Sequence, residues 1–134
     1  MSEETPILAL EGIKVLDLTW QGPGPFCTMI LGDLGADIIK VGPPAGAEAR
    51  QTARSGGWRQ IAHDAVNRNK RSVLLNLKSE AGRKVFQQLA EDADVIVEGF
   101  RPGVAKRLGI DYETISRINP RICLLYTSDA ADEE

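Results

Sequence analysis

The chain has 134 residues, of which 43% are apolar and 26% charged, and its formal net charge is −3. That composition suits one soluble domain long enough to bury a core, and it lacks the basic excess that points to nucleic acid. No window of about 18 consecutive apolar residues exists, so no membrane-spanning segment is expected. The N-terminal "MSEETPILALEG" is acidic, with neither a positive n-region nor a long apolar run, so a secretory leader is not expected and a cytoplasmic location is. Cys27 and Cys123 sit inside apolar runs and are expected as buried free thiols in a reducing compartment. With one histidine and no C-x-x-C, no metal-ligand spacing is present.

In chain order, "KVLDL" from Lys14 to Leu18 is a short apolar run of strand formers, interrupted by the Gly-Pro segment Gly22 to Pro25. Phe26, Met29, Ile30 and Leu34 then recur at helical spacing and are expected to form one buried face, with Pro25 in the first turn and Gly35 at the stop. "DIIKV" from Asp37 is the second strand. Residues 42–66 show no period and read as a long excursion, with a short helix near Trp58 to Ala65; so long a loop is uncommon unless it is functional. "SVLLNL", Ser72 to Leu77, is the third strand. Ser79 then caps a helix that carries Glu80 in its first turn. On that helix Val85, Phe86 and Leu89 face one way, and Arg83, Lys84, Gln87 and Gln88 the other. "DVIV" from Asp94 is the fourth strand. Short helices are expected at Pro102 to Leu108 and, after the cap Asp111, at Tyr112 to Ile118. "RICLLY" from Arg121 begins a fifth strand.

This alternation argues for an α/β fold, a parallel sheet covered by helices. Ligands of such sheets sit beyond the C-terminal ends of the strands, which directs attention to residues 19–25, 42–66, 77–79 and 98–107. In the first of these, glycines let backbone N–H groups approach a ligand at the positive end of the next helix. Gly22 and Gly24 are spaced as in G-x-G-x-x-G, but Cys27 stands at the third glycine position, and a plain strand-helix connector explains the stretch equally well. "NRNKR", Asn67 to Arg71, either holds phosphates by charge or is a solvated basic edge. In "EGFRPG", Glu98 to Gly103, Phe100 offers a ring face. Arg101 and Arg107 offer bidentate phosphate contacts, or else Phe100 is core and both arginines are surface. His63 beside Asp64 makes no catalytic set with any serine, and Asp92 and Asp94 read as solvated structure. The residues alone thus describe an α/β domain with Gly-rich and Arg-bearing loops at one edge, suited to a ligand with phosphates and a ring.

Taken together, "LEGIKVLDLT", "GPGPFCTMILGDLGADIIKV" and "NRNKRSVLLNLKSEAGRKVFQQLAEDADVIVEGFRPGVAKRLGIDYETISRINPRI" resemble the N-terminal part of the family III CoA transferases. This superfamily includes formyl-CoA and carnitine CoA transferases and the α-methylacyl-CoA racemases. The resemblance implies a Rossmann-like large domain in an interlocked homodimer, acting on acyl-CoA and carboxylic acid substrates, with no nucleic-acid or membrane partner. Coenzyme A enters as substrate and not as a permanently bound cofactor. By the same resemblance Leu75, Asn76, Leu77 and Lys78, then Gly99, Phe100 and Arg101, and Arg107 bind CoA, while Gly22, Gly24 and Pro25 belong to a turn cradling it.

There are departures from the family pattern. Gly42 stands where members often carry Glu, Pro43 where some carry a CoA-contacting arginine, and Glu98-Gly99-Phe100 where many transferases have Glu-Asn-Phe. The last of these, with "GPGP", resembles the racemase branch as well. Family members are much longer. The aspartate that carries acyl and CoA groups in transferases, and the His and Asp that move the α-proton in racemases, lie downstream, so no catalytic residue is expected in this chain. Residues 8–122 are therefore read as the N-terminal part of the CoA-binding large domain. Residues 123–134 are read as a tail that departs from the family pattern and is not native to the gene. Three readings remain open: a transferase segment, a racemase segment, and a non-catalytic CoA-binding module.

Overall fold

The computed structural model describes residues 7–44 and 64–126. Its elements are β1 (Lys14–Asp17), α1 (Pro23–Asp33), β2 (Asp37–Gly42), β3 (Lys70–Leu74), α2 (Glu80–Glu91), β4 (Val95–Glu98), α3 (Val104–Leu108), α4 (Tyr112–Ile118) and β5 (Cys123–Tyr126). The expected helix near Trp58 to Ala65 falls almost wholly outside the described residues, as does His63.

The five strands form one sheet in the order β3-β2-β1-β4-β5, and every pairing is parallel. Parallel crossovers are right-handed, so stepping outward from β1 to β2 places α1 on one face. The return from β3 to β4 reverses the direction and places the later helices on the other. Side chains alternate accordingly. Leu16, Leu18, Val41 and Ile96 join Phe86 and Ala90 of α2, Ile115 of α4, Ile110 and Ile122 in the larger apolar core. Val15, Ile38 and Val97 form a smaller one with Ala36, flanked by Leu31 of α1. Asp17, Lys40 and Lys70 share the face of this smaller core, because Asp17 pairs with Lys40 in register and Lys70 with Ile38.

Four expectations need correction. The third strand runs over Lys70–Leu74 and not Ser72 to Leu77, since its ladder with β2 begins at Lys70 and ends where Gly42 meets Leu74. Beyond it, Asn76 closes a turn by accepting the Ser79 N–H at 2.9 Å and the Ser79 hydroxyl at 2.8 Å on its carbonyl oxygen. On α1 the face that packs is Gly24, Pro25, Thr28, Met29 and Gly32, while Phe26, Ile30 and Leu34 are 53%, 41% and 44% exposed. Of the expected face Met29 does pack inward; small residues let the helix lie close to the sheet, and apolar periodicity took Phe26, Ile30 and Leu34 of the outer face for inner positions. On α2 the buried positions are Gly82, Phe86 and Ala90, with Leu89 packed against the core and Val85 exposed. Neither thiol is buried: Cys27 is half-buried on α1, and Cys123 is exposed on the edge strand β5.

Ser79 caps α2 as expected, its hydroxyl accepting the Gly82 N–H at 3.1 Å. At the other end of α2 the buried Asn119 amide donates to the carbonyls of Ala90 at 3.0 Å and Ala93 at 2.7 Å. Carbonyls that a helix end leaves unpartnered are thus satisfied by the residue that follows α4. Among the described residues no helix is long and apolar enough to cross a membrane.

Candidate functional site

The order 3-2-1-4-5 reverses between β1 and β4, and the crevice beyond the strand ends at such a point is where open α/β sheets bind ligands. A cavity of about 670 Å³ lies there. Its walls come from four strand ends: Leu18 to Gln21 after β1, Val41 to Pro44 from β2, Leu75 to Lys78 after β3, and Gly99 and Phe100 after β4. Leu108 of α3 closes one side. Each of the four loops picked from the sequence contributes to this wall or flanks it.

Of the residues singled out beforehand, Leu75, Asn76, Leu77, Lys78, Gly99 and Phe100 line the cavity together. Arg101 and Arg107 do not line it; both are exposed, Arg101 just after Phe100 and Arg107 on α3. Gly22, Gly24 and Pro25 do not line the cavity either; the lining from that turn is Thr19, Trp20 and Gln21. Gly22 caps α1 with φ 71°, a left-handed value open to glycine. Gly24 is buried, and a Cβ there would come within 2.5 Å of the Thr19 side chain.

The basic stretch Asn67 to Arg71 does not face the cavity. The Arg68 guanidinium pairs with both oxygens of Asp33, and Arg71 with those of Asp37, at the start of β2. Lys70 is buried against Asp17 at 3.0 Å. The phosphate-holding reading of this stretch therefore fails: Arg68 and Arg71 are engaged by Asp33 and Asp37 at the ends of the strands away from the cavity, and Lys70 by Asp17, the last residue of β1.

Several groups that shape the wall were not legible beforehand. Arg83, assigned to the solvent face of α2, donates from Nη1 to the carbonyl oxygens of Leu77 at 3.4 Å and Lys78 at 3.0 Å, which fixes the stretch ahead of that helix. Gly82 lets the same stretch approach, because a Cβ there would collide with the Asn76 carbonyl oxygen. Trp20 lies with its ring centroid 5.1 Å from the Lys40 ammonium, a cation-π contact, and its ring edge comes to the end of β2. Gly42 makes room for it; a Cβ at that position would lie 3.4 Å from the indole. The spacing of an aromatic three residues past β1 and a glycine ending β2 is the only sequence signal for this pairing.

Two carboxyls near the site are shifted. Burial pushes Asp17 up, but hydrogen bonds from Thr19 and Thr28 and the Lys70 charge outweigh it and hold the group below its ordinary 3.8. Burial at the end of β4 pushes Glu98 above its ordinary 4.5, partly offset by the Phe100 N–H, which donates to Oε2 at 2.7 Å. Among the described residues no group of three or more His, Cys, Asp and Glu side chains could hold a metal ion.

Sheet order, parallel pairing and the position of the cavity define a Rossmann-like α/β domain. Residues 10–128 match the model of CoA-transferase family III, and the chain belongs to that family. It is 44% identical over 134 aligned residues to the acetyl-CoA:oxalate CoA-transferase of Acetobacter aceti, covering 97% of this chain and 34% of that one. It is 42% identical over 123 residues to the human succinyl-CoA:glutarate CoA-transferase, covering 90% and 28%. The crystal structure of a CAIB/BAIF family protein from Brucella suis superposes with a TM-score of 0.79 at 34% identity, covering 90% of this chain and 33% of that one. The chain spans about a third of the length of the relatives it matches.

Proposed function

We propose that this chain is the CoA-binding portion of a CoA transferase that moves coenzyme A between carboxylic acids. The observation that carries the reading is the cavity at the strand-order reversal, walled by Leu75 to Lys78 and by Gly99 and Phe100 in a chain of this family. The cavity offers what a nucleotide thioester needs. Phe100 presents a ring, Asn76 and Gln21 offer amides, Lys78 offers a cation, and Arg101 and Arg107 stand close along the chain to meet phosphates at the rim. The N-terminus of α2 opens directly after the Leu75 to Lys78 stretch and adds its positive end.

In the transferase reading, an aspartate outside this chain attacks the acyl-CoA carbonyl. It takes the acyl group as a mixed anhydride and releases the CoA thiolate. The thiolate then attacks the aspartyl carbonyl, giving an aspartyl-CoA thioester and the free acid, and the second acid is loaded by the reverse steps. The part of these residues is to hold the nucleotide while the thiol end reacts elsewhere. The transferase branch is favoured over the racemase branch because the relatives reported above are named as transferases. A cytoplasmic, homodimeric full-length enzyme with no permanent cofactor belongs to the same proposal.

Isothermal titration of the 134-residue chain with CoA tests the binding reading. Saturable binding that weakens in Lys78→Ala and Arg107→Ala is expected. A chain that is folded by circular dichroism yet binds no CoA overturns it.

A further inference from the structure

Beneath the turn that joins β1 to α1 lies a charged cluster that plays no part in the apolar core. Asp17 and Lys70 are buried, their side chains 0% and 1% exposed. Asp17 Oδ1 accepts the Thr19 N–H at 2.9 Å and the Thr19 hydroxyl. Asp17 Oδ2 accepts the Thr28 hydroxyl at 2.7 Å and the Lys70 ammonium at 3.0 Å. Lys70 Nζ also donates to the Pro25 carbonyl at 3.0 Å and lies 2.7 Å from the Thr28 hydroxyl oxygen. From β2, Lys40 Nζ donates to the Thr19 carbonyl at 3.1 Å.

These partners have one thing in common. Thr19 belongs to the turn, Pro25 and Thr28 lie in the first two turns of the helix that follows it, and the stretch so bracketed supplies the cavity wall Thr19, Trp20 and Gln21. A fold that needed only stability would be served as well by apolar side chains here, since a buried ion pair is often no more stabilising than a well-packed hydrophobic one. A lysine beside the first turn of a helix also opposes the helix dipole. What the pair adds is direction: each bond has a fixed partner and length, and Lys70 reaches from β3, whose continuation is the opposite cavity wall, Leu75 to Lys78.

We propose that Asp17 and Lys70 form a buried tether that sets the position of the β1–α1 turn, and so of Trp20 and Gln21, relative to the wall that follows β3. Both are positioning residues, and neither lines the cavity. The inference rests on the CoA-binding reading for its ligand but not for the state of the turn.

The test uses Trp58→Phe as the parent, so that Trp20 is the remaining tryptophan, excited selectively at wavelengths the tyrosines do not absorb. It compares the parent with Lys70→Met and with Asp17→Asn/Lys70→Met, which removes both charges at once. Backbone amide exchange at Trp20 and Gln21 is measured without ligand, and CoA affinity by Trp20 fluorescence. The double variant is expected to keep its melting temperature while exchange at both amides quickens and the Kd for CoA rises, each about tenfold, the scale of losing one charge-assisted hydrogen bond. A folded double variant whose amides exchange at the parental rate overturns the tether. One whose amides quicken but whose Kd is unchanged overturns the positioning role. If the double variant does not fold, Thr28→Val, nearly isosteric and lacking the hydroxyl that bridges Asp17 and Lys70, decides between the same outcomes. Failure of the parent to bind CoA would sink the binding reading and leave the exchange result to judge the tether.

Discussion

The face of the sheet under α2 and α4 and the face under α1 solve different problems with the same strands. Under α2 and α4, Phe86, Leu16, Ile96, Ile110 and Ile115 fill a continuous apolar layer. Under α1 the apolar cluster is smaller, and toward the cavity it gives way to Asp17, Thr28, Lys40 and Lys70. Apolar contact is non-directional and scales with area, so the first face holds the domain together. Charged hydrogen bonds are directional, so the second face orients the turn at the switch point. The switch point therefore has a rigid apolar floor on one side and a polar adjuster on the other.

The largest effect is expected where the apolar layer is cut. Phe86→Ala should lower the unfolding free energy by about 3–5 kcal/mol, read by urea denaturation. Lys70→Met should cost about 3–5 kcal/mol on the other face, because it strands the buried Asp17 carboxylate, whereas Asp17→Asn/Lys70→Met should recover most of that loss. That non-additivity in a double-mutant cycle is the signature that separates the two faces; additive losses would erase the contrast.

Acid sharpens the same comparison. The Asp17 pKa is held below 3.8 in the folded chain, so its contribution is present above 3.8 and is lost as the pH falls through the folded value. Urea midpoints measured down that acid limb should fall less steeply in Asp17→Asn/Lys70→Met than in the parent, and unchanged in slope they would contradict the assignment.

Smaller effects belong to the wall after β3. Gly82→Ala should destabilise by about 1–3 kcal/mol through its clash with the Asn76 carbonyl, and should weaken CoA binding by displacing the Asn76 to Lys78 wall. Ser79→Ala should cost about 1 kcal/mol of stability by leaving the Gly82 N–H uncapped. Thermal melts and CoA titrations of both variants check whether the wall and the helix cap act as one unit.

Much of this molecule was legible in its residues. The strand-helix alternation, the Ser79 cap and the loops that meet at the cavity follow from local rules: period, turn chemistry and the parallel sheet they imply. Leu75 to Lys78 and Gly99 to Phe100 reach the cavity because residues after parallel strands must emerge at the same edge. Local rules misjudged partners. Phe26, Ile30 and Leu34 keep helical spacing, yet α1 turns Gly24, Thr28 and Gly32 to the sheet. Lys70 read as part of a solvated or phosphate-binding cluster, yet β3 carries it across β2 to Asp17, 53 residues away in the chain. Arg83 read as surface, yet it grips two carbonyls of the cavity wall. Sequence alone determined which segments become strands and helices and which ends of them gather, because those depend on neighbours along the chain. Only the tertiary structure decided which cations are free and which are buried and paired, because a charge's environment is set by whatever the fold brings beside it.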